Sequence, residues 1–283
     1  MNLGRRLPVV AGSFYSGERE DLLREIERCF RHPLGPGSLP SEEGRTESRV
    51  LALVSPHAGY VYSGPVASHG YLLLSRAPKP STVVVVGPNH QGVGTEVSVY
   101  PEGAWVTPLG EVEVDRDAAY SLAKSSDIFS LDEASHRHEH SIEVQLPFLQ
   151  YALGSFKLVA VSMLDQSKET SLKVAKALAD LARQRNVAVI ASSDLTHYEP
   201  ASTASEKDKE LLSKVTSLDV DQLYTVISRK GISACGFGPV ACSMAMAREM
   251  GVAEGRLLKY ASSGDITGDR GAVVGYASVG FQL

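Results

Sequence analysis

Several motifs that commonly identify enzymes are absent from this chain of 283 residues. It contains no Walker phosphate-binding loop and no GxGxxG after a strand-like segment, so nucleotide binding has no motif behind it. It also lacks the GxSxG elbow of serine hydrolases and the HExxH helix of zinc peptidases. No paired CxxC segments are present, which leaves a structural zinc site without its usual ligands. Any function must therefore rest on residues that are dispersed along the chain.

Long apolar runs, clustered basic residues and frequent cysteines are also missing. No apolar run approaches the length needed to cross a membrane, and the segment after Arg5 and Arg6 is too short and broken for a signal peptide. We therefore expect a cytoplasmic protein without a membrane partner. A formal net charge of -5 without a Lys/Arg cluster argues against nucleic acid as a partner. Three cysteines, an odd number, give no sign of a disulfide framework.

Three short apolar runs, each followed closely by a histidine, are the most informative feature that is present. Such β-branched runs are typical of strands buried on both faces of a parallel sheet. They occupy residues 50–54, 82–86 and 186–190. His57, His90 and His197 follow them in that order. Because open α/β sheets bind ligands beyond the carboxyl ends of their strands, these histidines predict a site at that edge.

Helical patterns between the strands complete an α/β arrangement. Residues 169–185 carry apolar side chains along one face, and residues 65–74 can form a helix that begins with Pro65. No linker or internal repeat divides the chain. We therefore predict one domain over residues 1–283, with a mostly parallel, mixed central sheet.

Cys235 lies in a glycine-rich loop directly before a predicted helix. Proximity to a helix N-terminus lowers the pKa of a thiol and favours the thiolate, so this residue is a candidate ligand or nucleophile. The alternative is a small buried hydrophobic residue. His57 and His90 also have a structural and a functional interpretation. A single loop histidine is usually satisfied by a backbone carbonyl, yet imidazole is the commonest metal ligand.

Asp194 and His197 are three residues apart. On a helical turn this spacing would place both side chains on one side, where the carboxylate could orient the imidazole and raise its basicity. Alternatively, Asp194 could cap the N-terminus of a short helix.

A histidine-rich run precedes the predicted helix 144–153. Its composition resembles a metal-binding tract. Because His136 and His138 alternate in an extended pattern, we expect both to be exposed. Glu139, His140 and Glu143, nearer the helix, are better candidates to line a pocket.

Taken together, the motifs resemble the Memo family. They are VVAGSFY at 9–15, PHAGYVYSG at 56–64, GPNH at 87–90, EHSIE at 139–143, SSDLTHY at 192–198 and ACG at 234–236. They occur in family order and span nearly the whole chain. Tyr60 and Asn89, which lie within these motifs, are expected to line the pocket together with Glu139 and His140.

The resemblance implies a fold similar to that of class III extradiol dioxygenases, which are non-haem iron enzymes with a three-layer α/β/α domain. By position, His57 and His90 would match two iron ligands, and Cys235 would stand where the dioxygenases use a glutamate. His197 would match their acid/base histidine, with Asp194 beside it. Fe²⁺ is the implied cofactor, although a thiolate is softer than a carboxylate and also suits Cu or Zn.

The family is also known for a signalling adaptor that recognises phosphotyrosine peptides, and its prokaryotic members are associated with radical-SAM and AMMECR-type proteins. The resemblance therefore leaves three hypotheses open. The first is a metal centre held by His57, His90 and Cys235, with redox or oxygen-dependent chemistry on an unknown small molecule. The second is a non-enzymatic protein that binds a peptide or protein in the same pocket, and the third is a thiol hydrolase with Cys235 as nucleophile.

Overall fold

The computed structural model describes residues 4–41 and 46–283. The strands of these residues are β1 (Arg5–Arg6), β2 (Val50–Ser55), β3 (Thr82–Pro88), β4 (Val97–Val99), β5 (Ala104–Thr107), β6 (Gly110–Glu113), β7 (Phe129–Leu131), β8 (Lys157–Met163), β9 (Val187–Ser192), β10 (His197–Glu199), β11 (Arg256–Ser262) and β12 (Val273–Gln282). The helices are α1 (Arg19–Arg31), α2 (Tyr60–Arg76), α3 (Arg116–Lys124), α4 (Gln145–Leu153), α5 (Lys168–Gln184), α6 (Ala201–Thr216), α7 (Val220–Lys230), α8 (Phe237–Glu249) and α9 (Ser263–Thr267).

The central sheet is mixed, with a parallel centre. Its strand order is β10-β12-β2-β9-β3-β8-β4-β7, and β11 pairs with β12. The four central strands β2, β9, β3 and β8 are parallel, whereas β12 and β4 run antiparallel to them on either side. Every residue of β2, β3 and β9 is buried, as their continuous apolar sequences predict for strands covered on both faces.

Helices cover both faces of this sheet, which gives the three-layer α/β/α arrangement that the sequence predicts. Helices α1, α2 and α4 pack together on one face. Helices α5 and α8 cover the other face, where α8 contacts β2, β3 and β9 and α7 packs against α8. Within the described residues, no helix has the length and apolarity that crossing a membrane requires.

A small second sheet is formed by β1, β5 and β6, whereas β4 joins the main sheet. Helix α2 differs from its prediction, because it begins at Tyr60 and contains Pro65 in its second turn. Gly59 is the N-cap, and the proline removes only one helical hydrogen bond, the one that would reach the Val61 carbonyl. Because the helix begins at Tyr60 rather than at Pro65, Val61 and Tyr62 belong to its first turn.

Candidate metal centre

The carboxyl ends of β2, β3 and β9 adjoin a cleft of about 650 Å³, a size suited to a small molecule. These strands are neighbours and run parallel, so the loops that follow them meet at one edge of the sheet. Six residues singled out in the sequence line this cleft: His57, His90, His140, Asp194, His197 and Cys235.

The ring of His57 has a defined tautomer. Ser192 Oγ donates its only proton to the Ser141 carbonyl, at 2.7 Å, and accepts a hydrogen bond from Gln145 Nε2, also at 2.7 Å. The remaining Ser192 lone pair, 2.8 Å from His57 Nδ1, must therefore accept a proton from that nitrogen. His57 Nε2 is left with its lone pair directed towards Cys235 Sγ, 3.2 Å away.

The ring of His90 is oriented by a carboxylate. Glu139 is fully buried; its Oε1 accepts from His90 Nδ1 at 2.9 Å, and its Oε2 accepts from the His90 backbone N–H at 2.6 Å. Burial would raise the pKa of Glu139, but hydrogen bonds from His90 and Ser141 lower it to about 2. Burial would likewise lower the pKa of His90, yet the hydrogen bond and charge of Glu139 raise it. Glu139 thus holds Nδ1 and leaves Nε2 for the cleft.

The donor atoms of His57, His90 and Cys235 all lie within 4.8 Å of one another. Two imidazole nitrogens and one sulfur are a suitable donor set for iron, copper or zinc. The hydrogen bonds at Nδ1 of both rings are those that metal-binding histidines usually make. The residues present therefore fit a transition-metal ion. A second group within the same distance, His90, Glu139 and His140, shares His90, but its carboxylate already accepts the hydrogen bonds described above.

Cys235 differs electrostatically from its prediction. It precedes α8, as expected, but burial followed by the charge of Asp194 raises its pKa well above the ordinary value. Desolvation of the sulfur outweighs the helix N-terminus here. A neutral thiol is a poor nucleophile, which disfavours the hydrolase hypothesis, whereas metal binding would displace the proton. A Cβ at Gly236 would lie 2.2 Å from the Ser192 carbonyl oxygen, so only glycine lets this loop approach β9 so closely.

Asp194 and His197 do not form the predicted pair. Residue 194 lies in an irregular segment before β10, so it neither lies on a helical turn nor caps a helix. Asp194 Oδ1 accepts the backbone N–H of His57 at 2.8 Å, and burial raises the pKa of this carboxyl to about 6. His197 is oriented by Ser233, whose carbonyl accepts from His197 Nδ1 at 2.9 Å. His197 therefore also keeps Nε2 available to the cleft.

Four other predictions need correction. Tyr60 is buried beneath the cleft, where its hydroxyl donates to the Val144 carbonyl at 2.7 Å, and Asn89 accepts the backbone N–H groups of Gln91 and Gly92 in a turn. Neither side chain belongs to the cleft wall, and Glu139 lies behind His90 rather than in the wall. Glu143 binds the N-terminal segment instead of lining the pocket.

His136 is fully buried between Tyr100 and Trp105, contrary to the predicted exposure, whereas His138 is exposed as expected. The ring of His136 packs where an apolar side chain would fit, which an alternating histidine pattern does not indicate. Sequence reasoning also missed Phe14, Tyr62, Tyr198 and Tyr276, which line the cleft. Phe14, Tyr62 and Tyr198 do carry a signal, since each falls within one of the family motifs, whereas Tyr276 lies outside them.

Fold and site together define a class: a three-layer α/β protein with two histidines and a cysteine converging at the carboxyl edge of its parallel strands. The family model described as Memo-like protein matches residues 6–280. The chain belongs to the Memo family.

Several relatives match almost end to end. A MEMO1 family protein of Methanopyrus kandleri is 46% identical over 280 residues, covering 98% of this chain and 99% of the relative. One from Methanothermobacter thermautotrophicus is 46% identical, covering 96% and 98%, and one from Sulfurisphaera tokodaii is 44% identical, covering 98% and 99%.

The fold is also similar to the crystal structure of an uncharacterized protein from Escherichia coli K12. The TM-score is 0.57 at 15% identity, over 83% of this chain and 100% of that one. At this identity the likeness concerns the fold alone.

Proposed function

We propose that this Memo family protein holds one transition-metal ion with His57, His90 and Cys235, for redox or oxygen-dependent chemistry on a small molecule. One observation carries the proposal: His57 Nε2 and Cys235 Sγ already lie 3.2 Å apart, while both histidines are held through Nδ1. Donor atoms oriented in this way lose little conformational freedom when they bind a cation.

Fe²⁺ is the metal we favour, because the family resembles the iron-dependent extradiol dioxygenases in fold, and the sulfur donor also suits Cu or Zn. A bound ion of this kind would supply Lewis acidity and electron exchange with oxygen. The chain's own residues handle protons. His197 Nε2 accepts a proton from a cleft ligand and returns it, while the Ser233 carbonyl keeps the proton on Nδ1.

Metal analysis of protein purified without oxygen tests the metal site. We expect about one ion per chain, as one complete ligand set implies. The His57→Ala/His90→Ala variant should contain almost none. His138→Ala, which removes an exposed histidine outside the cleft, is the matched control and should keep the wild-type content. Equal metal content in the double variant would refute the site.

A non-enzymatic binding protein is the second candidate, favoured by the exposure of apolar side chains near the cleft. Tyr198 is 79% exposed and Val61 61% exposed. Under this alternative, purified protein contains far less than one ion per chain. Cys235→Ala would then bind cleft ligands as well as the wild type, whereas His140→Ala would not.

A further inference from the structure

Aromatic rings and carboxylates accompany the candidate metal ligands in the cleft. The aromatic side chains are Phe14, Tyr62, Tyr198 and Tyr276. Two aspartates, Asp194 and Asp269, also line the cleft, and among the described residues no lysine or arginine does. The histidines add hydrogen-bonding nitrogens rather than permanent charge. The chain itself therefore offers a ligand flat apolar surface and negative charge.

The exposed ring of Tyr198 is a consequence of the backbone at β10. His197 and Glu199 pair with β12, and the register shift between them leaves Tyr198 outside the ladder. Its φ of 59° lies in the left-handed region, which is unfavourable for a residue with a side chain. Strained backbone of this kind persists where the surroundings require it and is frequent at functional sites. Here it holds an aromatic ring next to His197, with 5.7 Å between the ring centroids.

Two further rings line the cleft beside polar residues. Phe14 contacts His140 edge to face, with 4.9 Å between centroids. Tyr62 is 41% exposed in the first turn of α2. A ligand ring in this cleft would therefore have aromatic neighbours from three separate segments of the chain.

The two aspartates lie at different depths. Asp194 is buried beside Cys235, whose Sγ accepts the Asp194 backbone N–H at 3.3 Å. Asp269 is exposed, and its Oδ1 accepts the backbone N–H of Gly271 at 2.9 Å. Arg270, which follows Asp269 in sequence, has its guanidinium 3.4 Å from Asp265 and does not line the cleft. The negative charge of Asp269 is therefore not offset by a basic side chain in the cleft wall.

We propose that the cleft takes a small aromatic amine, with its ring among the aromatic side chains and its ammonium group near Asp269, and that it discriminates against aryl carboxylates and phosphates. An ammonium group gains from both the carboxylate and the ring faces. An anionic group would lose water without meeting a lysine or arginine. This inference specifies the ligand class of the site in the proposed function and rests on it only in that both concern the same cleft.

Binding of four matched probes by calorimetry tests the ligand class: 2-phenylethylamine, 2-phenylethanol, 3-phenylpropionate and phenyl phosphate. Because a bound metal would itself attract an anion, the series is measured on chelated protein and on metal-loaded protein. On chelated protein the amine should bind about 1.5- to fivefold more tightly than the alcohol, the range of one exposed ion pair. Both anions should bind more weakly than the alcohol.

Variants locate the two interactions. Asp269→Asn should reduce the ratio of amine to alcohol affinity to near one and leave the alcohol unchanged. Tyr62→Ala should weaken amine and alcohol alike, by roughly threefold or more for one lost ring contact. Glu254→Gln removes an exposed carboxylate outside the cleft lining and should change neither affinity.

Three results would overturn the inference: tighter binding of either anion than of the amine on chelated protein, an amine preference unchanged in Asp269→Asn, or no binding of the amine at millimolar concentration. Metal content is measured on the protein as purified without oxygen, before chelation. An amine preference in protein that purifies without metal contradicts only the proposed function, whereas metal in the purified protein without the amine preference contradicts only the ligand class.

Discussion

Two polar clusters in this protein differ in what they leave unpaired. The first, the Glu143 clamp, consists of Arg6, Tyr15 and Glu143. The Glu143 carboxylate pairs with the Arg6 guanidinium and accepts from the Tyr15 hydroxyl and from two backbone N–H groups. Arg6 also donates to the carbonyls of residues 136 and 139. The charged groups of the Glu143 clamp are therefore paired with one another, and these contacts hold the N-terminal segment in place.

The second, the cleft cluster, consists of His57, His90 and Cys235. Each histidine is held through one ring nitrogen and presents the other to the cleft. The comparison shows how to separate structural from functional polar residues in this fold. A polar group whose atoms are all paired supports the structure, whereas one held on one side and open to the cleft on the other is prepared for a ligand.

Loss of the clamp should have the largest effect on stability. In Glu143→Ala the Arg6 charge stays buried without its partner, which we expect to lower the free energy of unfolding by about 3–5 kcal/mol. Denaturant unfolding measures the change. The exposed pair of Arg5 and Glu111 provides the control, since Glu111→Ala should have a much smaller effect. Folded Glu143→Ala should still bind metal, and loss of metal from chains that remain folded would remove the distinction between the clusters.

Next to the clamp, His136 should make stability depend on pH. Burial lowers the pKa of His136 to about 4, while the unfolded value is about 6.5. Between these values the unfolded chain binds more protons, so stability falls as the pH drops from 6.5 towards 4. The contribution is up to about 3 kcal/mol. In His136→Phe this contribution should vanish, and unchanged pH dependence in unfolding experiments would contradict it.

In the cleft, Asp194 should have the opposite effect on the pH dependence of stability. Burial raises the pKa of Asp194 to about 6, above the unfolded value of about 3.9. The folded chain then binds more protons between these values, so this group favours folding increasingly as the pH falls. Asp194→Asn should therefore steepen the loss of stability on acidification of the metal-free protein. Chemical unfolding at pH 4.5 and 6.5 measures this, and a shallower dependence in the variant would count against the raised pKa.

Within the cleft cluster, loss of the carboxylate behind His90 should weaken the metal without weakening the fold as much as loss of the clamp. We expect Glu139→Gln to lower metal affinity roughly 10- to 100-fold, as removal of such hydrogen-bond partners does. Competition with a chelator measures it. Glu133→Gln, an exposed substitution nearby in sequence, should have no effect, and an equal loss in that control would exclude a specific role for Glu139.

The smallest effect concerns backbone strain at the cleft mouth. Tyr198→Gly should stabilise the protein by about 1 kcal/mol relative to Tyr198→Ala, because alanine keeps the cost of positive φ that glycine avoids. Thermal unfolding compares the two variants. Equal stability would show that the left-handed backbone at this position carries no strain.

Much of the site was predictable because chain order and sheet chemistry constrain it. Continuous apolar runs identify the central strands, and parallel strands end at one edge, so His57, His90 and His197 were expected to converge. Cys235 was marked by its glycine loop. The pairing of Asp194 with His197 was wrong because i,i+3 proximity requires a helical turn, and residues 194–197 form none. Glu143 was misplaced because nothing in its local sequence indicates a contact with Arg6.

The sequence by itself determined the family, the α/β/α fold and which residue types end the central strands. Only the tertiary structure decided what each of those residues binds. The Nδ1 of His57 meets Ser192 across 135 residues of chain, and that of His90 meets Glu139 across 49. Apolar periodicity is a local property that survives in any sequence window. A hydrogen bond between distant residues depends instead on how strands and helices pack, and it is this packing that leaves the two Nε2 atoms and the sulfur facing one another.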